Sequence, residues 1–454
     1  MSSVDIIVLA AGEGTRMKSA MPKVLHSVGG LPMLEHVLRA AQAFGAERTA
    51  VVIGPNVPKV ESFLKQRPVP IDTFVQTERL GTGHATMAAA GFFANGHSSN
   101  IVLFGDTPLI RPQTLERIRS LLEADADLVV QGFEPDTPTG YGRLLVEDGQ
   151  LTAIREEKDA TDAERKIGLC NAGAMGFGPG ILNRLLNSLT NKNAQGEYYL
   201  TDCVELACAQ GLTVRVVKGD AADAAGINSR AQLAAVEAIF QQRMRQQAMA
   251  DGVTLMAPET VHFCYDTKLE ADVTVEPNVV FGSKVTVRSG AIIKAFSHLE
   301  GAIIGQGAII GPFARLRPGT DLGANTKVGN FVEIKGATVE EGSKVNHLSY
   351  IGDTHIASGV NIGAGTVTCN YDGFGKHRTT IGADSFIGSG SLLVAPLDVG
   401  SNAYIATGSV ITENVPSDAL AFGRARQTNK VGRGAELKDR LRAAKQKTLE
   451  TKKK

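Results

Sequence analysis

A six-residue repeat between about Leu269 and Ile411 constrains the fold more than any other feature of this chain. Strands repeat every two residues and helices every 3.6, so a period of six over so long a run fits neither. A hexapeptide period is typical of a parallel β-helix, in which three short strands form one triangular coil. One coil cannot bury its own apolar face, so the repeat predicts a stack of coils. The aliphatic positions form two runs: Ile304, Ile310, Leu316, Leu322, Val328 and Ile334, then Ile381, Ile387, Leu393, Val399, Ile405 and Ile411.

The repeat slips by one residue before Val339 and again before Ile356, and it breaks between Ile362 and Ile381. The break contains the sequence TCNYDGFGKHR at residues 368–378. A solenoid extrudes insertions as surface loops, and such loops often carry function. The alternative is a tolerated insertion without a role. The Asn, Tyr and His residues gathered there favour a functional loop.

Composition limits the class of protein. A chain of 454 residues predicts two or three domains. The formal net charge is zero, which gives no indication of nucleic acid or an anionic membrane as a partner. The five cysteines are odd in number and form no CxxC pair, which favours reduced thiols in a cytoplasmic protein. The short apolar run at the N-terminus lacks a basic flank, so we expect a strand rather than a signal peptide, and we expect no membrane insertion.

The first predicted strand, from Asp5 to Ala10, runs directly into a glycine loop. The loop reads LAAGEGTRM at residues 9–17, and Pro22 and Lys23 follow. Small residues let the backbone approach a bulky ligand, glycines turn amides toward phosphate, and Arg16 and Lys23 supply positive charge. The loop is neither a Walker motif nor a dinucleotide fingerprint. Its position after a first strand nevertheless predicts a nucleotide-phosphate site.

Strand and helix signals alternate through the first 230 residues, which predicts a doubly wound, Rossmann-like α/β sheet with ligands at the carboxyl ends of its strands. Asp106 follows a predicted buried strand and suits Mg²⁺ bridging to a nucleotide; the alternative is a helix cap or turn residue. A helix follows with one apolar face, formed by Leu233, Val236, Phe240 and Met244. We expect domains at residues 1–230 and 252–454, joined by a connecting helix at residues 231–251.

Seven motifs now occur together and in order: LAAGxGTRM with PK, QxxxLGTGHA, GDxPL, TGYGR, EEKDAT, NAQGEYYLTD and the hexapeptide region. Over nearly its whole length the chain resembles the bifunctional N-acetylglucosamine-1-phosphate uridyltransferase / glucosamine-1-phosphate N-acetyltransferase family. The resemblance implies a left-handed β-helix, a homotrimer, and two reactions that make UDP-N-acetylglucosamine for bacterial envelope precursors.

For the N-terminal domain, the resemblance implies transfer of uridylyl from UTP to N-acetylglucosamine-1-phosphate, with release of pyrophosphate. Arg16 and Lys23 neutralise charge in the reaction, and Mg²⁺ is held by Asp106 and Asn228. The sugar contacts are Gly140, Glu156 and Asn171. The remaining contacts to UTP and product are Leu9, Ala10, Ala11, Gly12, Gln76, Gly81, Thr82 and Phe104.

For the C-terminal domain, the resemblance implies acetyl transfer from acetyl-CoA to glucosamine-1-phosphate, with His347 as general base. Histidine ordinarily titrates near neutrality, so it can take the proton of an attacking amine. From the residues alone, a surface histidine at a coil corner is the better interpretation of His347, and the resemblance reverses that preference. The resemblance assigns the sugar phosphate to Arg317, Lys335, Tyr350 and Asn361. It groups Asn370 and Tyr371, which orient this site, with the acetyl-CoA contacts Ala364, Ser389, Thr407 and Arg424.

Two other interpretations compete with a bifunctional enzyme. The first is a sugar-1-phosphate nucleotidyltransferase whose β-helix is only structural or regulatory; an inert solenoid has no reason to carry His347, Lys335 and the 368–378 loop. The second is a sugar-nucleotide-binding scaffold, against which Arg16, Lys23 and Asp106 argue. The basic tail after Lys430 is expected to be solvated and partly helical.

Overall fold

The structure is a computed structural model that describes residues 3–451. Residue contacts divide the chain into two compact units. The first contains the chain up to Thr267 together with Phe281–Lys284, and the second contains Lys268–Val280 and the chain from Val285 onward. The first unit is an α/β fold and the second is a left-handed parallel β-helix, so the predicted fold class is confirmed.

The first unit is built on a mixed sheet whose strands are parallel except for Cys170–Phe177. A hairpin of Arg143–Glu147 and Gln150–Arg155 extends from that antiparallel strand. A separate small hairpin pairs Ser27–Val28 with Leu31–Pro32. In spatial order the main strands are Val214–Lys218, Leu128–Phe133, Cys170–Phe177, Ser99–Phe104, Val4–Ala10, Arg48–Ile53 and Asp72–Val75.

The strand Val4–Ala10 lies at the centre of this sheet and is buried along its whole length. Successive side chains point to opposite faces, so Ile6 and Val8 join one hydrophobic core while Ile7 and Leu9 join the other. Its two neighbours are Arg48–Ile53, the next long strand of the sheet, and Ser99–Phe104, which the chain reaches after reversing direction across the sheet. The carboxyl ends of Val4–Ala10 and Ser99–Phe104 therefore form a topological switch point, where doubly wound sheets bind ligands.

Eight α-helices belong to the described part of the first unit. The last of them, α8, begins after Ser229, whose side chain accepts a hydrogen bond from the Gln232 amide. The predicted apolar face of α8 packs against Met17, Val28 and Met33, so this helix is part of the first unit's own core. The helices are α1 Met33–Phe44, α2 Pro58–Lys65, α3 Thr82–Ala88, α4 Ala90–Phe93, α5 Pro112–Ala124, α6 Ile181–Leu186, α7 Cys203–Ala209 and α8 Arg230–Ala250.

Three parallel sheets form the faces of the β-helix, and each coil contributes one strand to each sheet. Two further short strands are Thr254–Leu255 and Val280–Phe281. The first face contains Lys268–Leu269, Thr286–Val287, Ala302–Ile304, Thr320–Leu322, Thr338–Val339, Thr354–Ile356, Thr379–Ile381 and Leu397–Val399. The second contains Thr274–Val275, Ile292–Ile293, Ile309–Ile310, Lys327–Asn330, Lys344–His347, Asn361–Ile362, Phe386–Ile387, Tyr404–Ile405 and Leu420–Ala421. The third contains His298–Leu299, Arg315–Leu316, Glu333–Lys335, Tyr350–Gly352, Val367–Cys369, Leu392–Val394 and Val410–Ile411.

The hexapeptide aliphatics fill the inside of these coils. Ile304 is fully buried, whereas the preceding Ile303 points outward and is 45% exposed. The one-residue slips change only the corners, because Val339 and Ile356 are as buried as the positions before them. The large break leaves the coil between Val367–Cys369 and Thr379–Ile381, which confirms the predicted surface loop.

The corners that join the second face to the third, called the second corner below, have a residue with positive φ at the same position of each coil. On four successive coils it is Phe296, Phe313, Phe331 and Leu348, and on the next three it is Gly365, Gly390 and Gly408. The three phenylalanine rings stack on one another and are about half exposed. One edge of the β-helix thus changes from bulky apolar side chains to bare backbone immediately after Leu348.

The basic tail forms helix α9, Arg433–Thr451, whose residues are all exposed. The last three lysines of the predicted tail, and the first two residues of the predicted N-terminal strand segment, lie outside the described residues. No helix within residues 3–451 is long and apolar enough to cross a membrane.

Two candidate active sites

A cleft of about 290 Å³ opens at the switch point of the first unit. It brings together most of the residues that sequence reasoning assigned to the nucleotide, although they are spread over a hundred positions. Those present are Leu9, Ala10, Ala11, Gly12, Lys23, Gln76, Gly81, Thr82, Phe104 and Asp106; Arg79 and Glu197 line it as well.

The first loop can form because its second glycine carries no side chain. Gly14 has φ of +66°, and a Cβ there would lie 2.5 Å from the Cβ of Lys23. The glycine therefore allows the Lys23 segment to pack directly against the loop, which aims the ammonium group into the cleft. Arg79 closes the other side, with its Nε donating to the Ala11 carbonyl at 3.2 Å and its guanidinium paired with Glu13.

Lys23 and Asp106, which line this cleft, meet Asn228, which does not line it. The Lys23 ammonium donates to the Asp106 carboxylate and, at 3.0 Å, to Asn228 Oδ1. Both side chains of the ion pair are largely buried, with 10% and 18% of their surfaces exposed. A carboxylate and an amide oxygen converging on one point are hard oxygen donors, which suit Mg²⁺ when substrate phosphates and water complete its shell. Asp106 and Asn228 therefore fit the expected Mg²⁺.

The second glycine loop is equally constrained. Gly81 has φ of +101°, and a Cβ there would lie 2.6 Å from the Tyr198 carbonyl oxygen. The buried Gln76 side chain donates to the Gly81 carbonyl at 3.1 Å and lies 3.3 Å from His84 Nδ1. The loop is thereby fixed at the start of α3, where Thr82 accepts from the Leu200 amide.

Four predicted residues lie apart from this cleft: Arg16, Gly140, Asn171 and Glu156, the last of which lines a second cleft. Arg16 is exposed on the short turn Thr15–Met17, and within residues 3–451 no ion pair engages it. Asn171 caps its own turn by accepting from the Gly173 amide, and Gly140 has open space around its α-carbon. Phe104 packs closely over Gly173, where a Cβ would lie 2.8 Å from the ring. The roles of these residues, like those of the residues that line the cleft, stay predictions.

Glu156 lies in a second cleft of the first unit, of about 440 Å³, together with Asp202 and Glu205. Burial raises the pKa of Glu156, against the opposing effect of the Thr201 hydroxyl, which donates to its carboxylate at 2.9 Å. Burial, helped by Glu205 and Glu156, raises the pKa of Asp202 to about 6. Both carboxyl groups are therefore protonated more easily than an ordinary carboxyl group.

In the second unit, three of the four predicted sugar-phosphate residues, Arg317, Lys335 and Tyr350, lie on adjacent coils of the third face. Arg317 lies one coil before Lys335, and its guanidinium donates to Glu333 at 2.8 Å, which raises the pKa of Arg317. Lys376, from the extruded loop, lies beside Lys335 and lowers the pKa of the Lys335 ammonium. The two positive charges repel each other, so the arrangement favours the binding of an anion beside them.

Tyr350 and Asn370 converge over Gly352 on the same face. A Cβ at Gly352 would lie 2.6 Å from the Tyr350 hydroxyl and 2.8 Å from the Asn370 amide nitrogen. The Asn370 amide donates to Asp353 at 2.5 Å, which orients it. Tyr371, by contrast, is 61% exposed and its hydroxyl donates to the Gly373 carbonyl within the loop.

His347 ends a strand of the second face, and its Nδ1 lies 2.8 Å from Asn330 Oδ1. An amide oxygen only accepts, so this contact requires the proton on Nδ1 and leaves Nε2 as a free acceptor. Nε2 is the atom that a general base would use. Asn361 lies on the same face, one coil further, beside Lys344.

The predicted acetyl-CoA residues follow His347 down the second corner. The His347 carbonyl accepts from Gly365, the Ala364 carbonyl from Gly390, and the Ser389 carbonyl from Gly408, each at 2.7–3.1 Å. Thr407 immediately precedes Gly408, and Arg424 lies 3.7 Å from where a Cβ of Gly408 would be. His347 thus heads a column in which Ala364, Ser389, Thr407 and Arg424 succeed one another, beside the glycine stretch of the corner.

Sequence reasoning missed five residues that the structure adds to these sites: Asn330, Asp353, Lys376, Arg79 and Glu197. Asn330 could have been found, because it precedes His347 by 17 residues, about one coil. The position of Lys376 depends on how the loop folds back, which periodicity does not encode.

Comparisons with known proteins agree with this architecture. The family model of the MobA-like NTP transferase domain matches residues 6–167, and that of the bacterial transferase hexapeptide repeat matches residues 301–336. The curated "Bifunctional protein GlmU" of Azorhizobium caulinodans is 55% identical over 436 residues, which cover 96% of this chain and 97% of the relative. The proteins of the same name from Agrobacterium fabrum and Cereibacter sphaeroides are 53% and 54% identical, covering 97% and 98% of both chains respectively.

Proposed function

Because the chain belongs to the family of bifunctional GlmU proteins, we propose that its two units carry the two reactions at the two separate sites described above. The protein is a bifunctional transferase of UDP-N-acetylglucosamine synthesis, with a nucleotidyltransferase and an acyltransferase activity. The assignment of residues to each reaction is the content of the proposal.

In the first unit, N-acetylglucosamine-1-phosphate attacks the α-phosphorus of UTP and pyrophosphate leaves. Phosphoryl-type transfers need positioning and charge neutralisation more than proton transfer. Lys23 supplies a largely buried positive charge at the phosphates, and Arg16 is free to swing toward them. The loop backbone at residues 9–12 and the Gln76–Gly81 pair hold the nucleotide, beside the Phe104 ring.

Mg²⁺ in this site would be held by Asp106 and Asn228, with Lys23 adjacent. When bound, the metal supplies charge stabilisation to the reacting phosphates. Glu156, Gly140 and Asn171 are assigned to the sugar of the acceptor.

In the second unit, the amine of glucosamine-1-phosphate attacks the thioester carbon of acetyl-CoA and the thiol of coenzyme A leaves. His347 Nε2 takes the proton from the amine, and Asn330 holds the ring in the tautomer that makes Nε2 basic. Arg317, Lys335 and Lys376 receive the phosphate, while Tyr350, Asn361 and Asn370 line the sugar. Tyr371 lies at the rim of this pocket.

Acetyl-CoA lies along the second corner, in contact with Ala364, Ser389 and Thr407 and with Arg424 toward its phosphates. The glycines of this corner leave room for an elongated ligand against the backbone, and the column ends at His347. This order of contacts, with the base at the head of the column, is the single observation that supports the assignment most strongly.

The enzyme is proposed to act as a homotrimer in the cytoplasm. Phe296, Phe313, Phe331 and Leu348 form a continuous exposed apolar ladder, the kind of surface that a second copy of the chain covers. The cysteines of the described chain are all free thiols, which suits a reducing compartment. Sedimentation analysis of a Phe313→Glu, Phe331→Glu variant, expected to be monomeric, tests the role of this ladder.

The proposal is tested by incubating the protein with glucosamine-1-phosphate and acetyl-CoA, without UTP, and following free thiol. Thiol release that depends on the sugar is expected. If no thiol appears while UTP and N-acetylglucosamine-1-phosphate still give pyrophosphate, the acetyl-transfer site has been assigned wrongly.

A further inference from the structure

The extruded loop is closed by one carboxylate, that of Asp372. Its Oδ2 lies 2.6 Å from His377 Nε2, and its Oδ1 accepts from the amides of Phe374 at 2.8 Å and Gly375 at 2.7 Å. The Gly375 amide, then His377, then the Phe374 amide hold the pKa of Asp372 well below its usual range. The carboxylate therefore stays charged and keeps three donors together.

His377 joins both ends of this loop. Its backbone amide donates to the Asn370 carbonyl at 2.8 Å, while its imidazole pairs with Asp372. Tyr371 and Lys376, between these two contacts, form an antiparallel bridge. The Phe374 side chain at the tip is fully exposed, so apolar packing does not hold the loop's tip. Polar contacts hold its shape: those of Asp372 and His377, and the hydrogen bond from the Tyr371 hydroxyl to the Gly373 carbonyl.

The two ends of the loop carry groups of the proposed sugar-phosphate site. Asn370 is fixed on one side by Asp353, and Lys376 is held on the other side beside Lys335. The two ammonium groups repel each other when no anion lies between them. A loop free to relax would therefore move Lys376 away from Lys335, and the binding of phosphate would have to bring it back.

We propose that His377, acting through Asp372, is a positioning residue that holds the loop closed and so keeps Lys376 beside Lys335 before the sugar phosphate binds. The inference rests on the proposed acetyl-transfer function, which it extends to a residue that touches no substrate. The Asp372 and His377 side chains are 50% and 36% exposed, so the pair contributes little to global stability. The pair instead affects the position of Lys376 in the sugar-phosphate site.

The experiment uses the full-length protein with three variants: His377→Ala, His377→Gln and His355→Ala. The glutamine variant would retain a side-chain donor for Asp372. His355 pairs with Glu340 at 3.1 Å at a comparable exposure on the first face, so its removal is a matched control. Steady-state acetyl transfer gives KM for glucosamine-1-phosphate and kcat. Millisecond-to-second hydrogen exchange, read by mass spectrometry on the peptide covering residues 370–378, gives the order of the loop without reference to activity.

We expect His377→Ala to raise KM for glucosamine-1-phosphate about three- to tenfold with a smaller change in kcat, as for the loss of one charge-assisted contact. In the same variant, exchange of the loop amides should become faster. His377→Gln should bring both KM and the exchange rate most of the way back to the values of the unmodified protein. His355→Ala should change neither KM nor the exchange rate.

Unchanged loop exchange in His377→Ala would overturn the inference, as would faster exchange with an unchanged KM. If the unmodified protein itself transfers no acetyl group, the proposed function fails, while the exchange data still decide whether His377 holds the loop.

Discussion

His347 Nδ1 and Asn330 Oδ1 lie 2.8 Å apart on neighbouring coils of the β-helix. The two residues are register partners in adjacent parallel strands, so the contact follows from the coil length. Because Asn330 can only accept here, it determines which imidazole nitrogen is left to act as a base.

Substitution of these two residues should have unequal effects. His347→Ala is expected to lower kcat of acetyl transfer by about 10²- to 10⁴-fold, the usual contribution of a general base. Asn330→Ala should lower it by roughly tenfold, because the base remains but its tautomer is no longer held. Uridylyl transfer by the same preparations serves as the control. An unchanged acetylation rate in His347→Ala would mean that another group takes the proton.

Asp106→Ala should abolish uridylyl transfer and leave acetyl transfer intact. The substitution removes the carboxylate that pairs with Lys23 and that is assigned to Mg²⁺, and a loss of at least about 10²-fold is expected. Pyrophosphate release measures the first reaction and free thiol the second. Loss of both activities in a folded protein would argue against separate sites.

Gly352→Ala should impair acetyl transfer without unfolding the β-helix. The added methyl group would lie within 3 Å of both the Tyr350 hydroxyl and the Asn370 amide, so these two side chains must separate. We expect KM for glucosamine-1-phosphate to rise by about tenfold. Kinetics and circular dichroism on one sample check this, and normal kinetics would show that the two side chains need not converge there.

The stability of the first unit should depend on Asp202. Because folding raises the pKa of this carboxyl from 3.8 to about 6, its charged form is disfavoured in the folded state. Its stabilising contribution is complete below pH 4 and is lost as the pH rises through about 6. Asp202→Asn should therefore unfold at a higher temperature than the unmodified protein at pH 7.5 and at nearly the same temperature near pH 4. A pH-independent difference would contradict the raised pKa.

Two adjacent isoleucines provide a matched test of the coil interior. Ile304→Ala should destabilise the β-helix by about 2–5 kcal/mol, since it opens a cavity in a closely packed core. Ile303→Ala, at a position 45% exposed, should cost about 1 kcal/mol or less. Denaturant midpoints of the two variants give the comparison, and equal midpoints would mean that the repeat has been assigned the wrong inward position.

The sequence predicted the fold in detail because its repeat is nearly exact. Every aliphatic in the two hexapeptide runs is buried, and the one place where the repeat breaks is where the chain leaves the coil. The switch-point cleft could also be predicted from the sequence, because Lys23 and Asp106 follow recognisable strand and loop signals. In both cases short-range pattern determines position.

Contacts made by side chains across coils or loops could not be read in this way. Lys376 meets Lys335 only because the loop folds back, and Asp353 reaches Asn370 from another coil. The sequence predicts that helix α8 is a connector, but its apolar face belongs to the first unit's core. An apolar stripe on a helix indicates that one face is buried, but it does not indicate which element covers that face. The roles of all the assigned site residues stay predictions, and Arg16, Gly140 and Asn171 also lie outside the two clefts.

The second corner also sets a length. Parallel strands lie about 4.8 Å apart, so the three steps from Ala364 to Arg424 span roughly 14 Å along the β-helix. Leu348 ends the open stretch at one end, because it is the last bulky residue before the glycines begin. Adding or removing one whole coil between these points would preserve the fold and shift the far anchor by one strand spacing. The distance between the contacts offered to an elongated ligand is therefore a whole number of coil spacings.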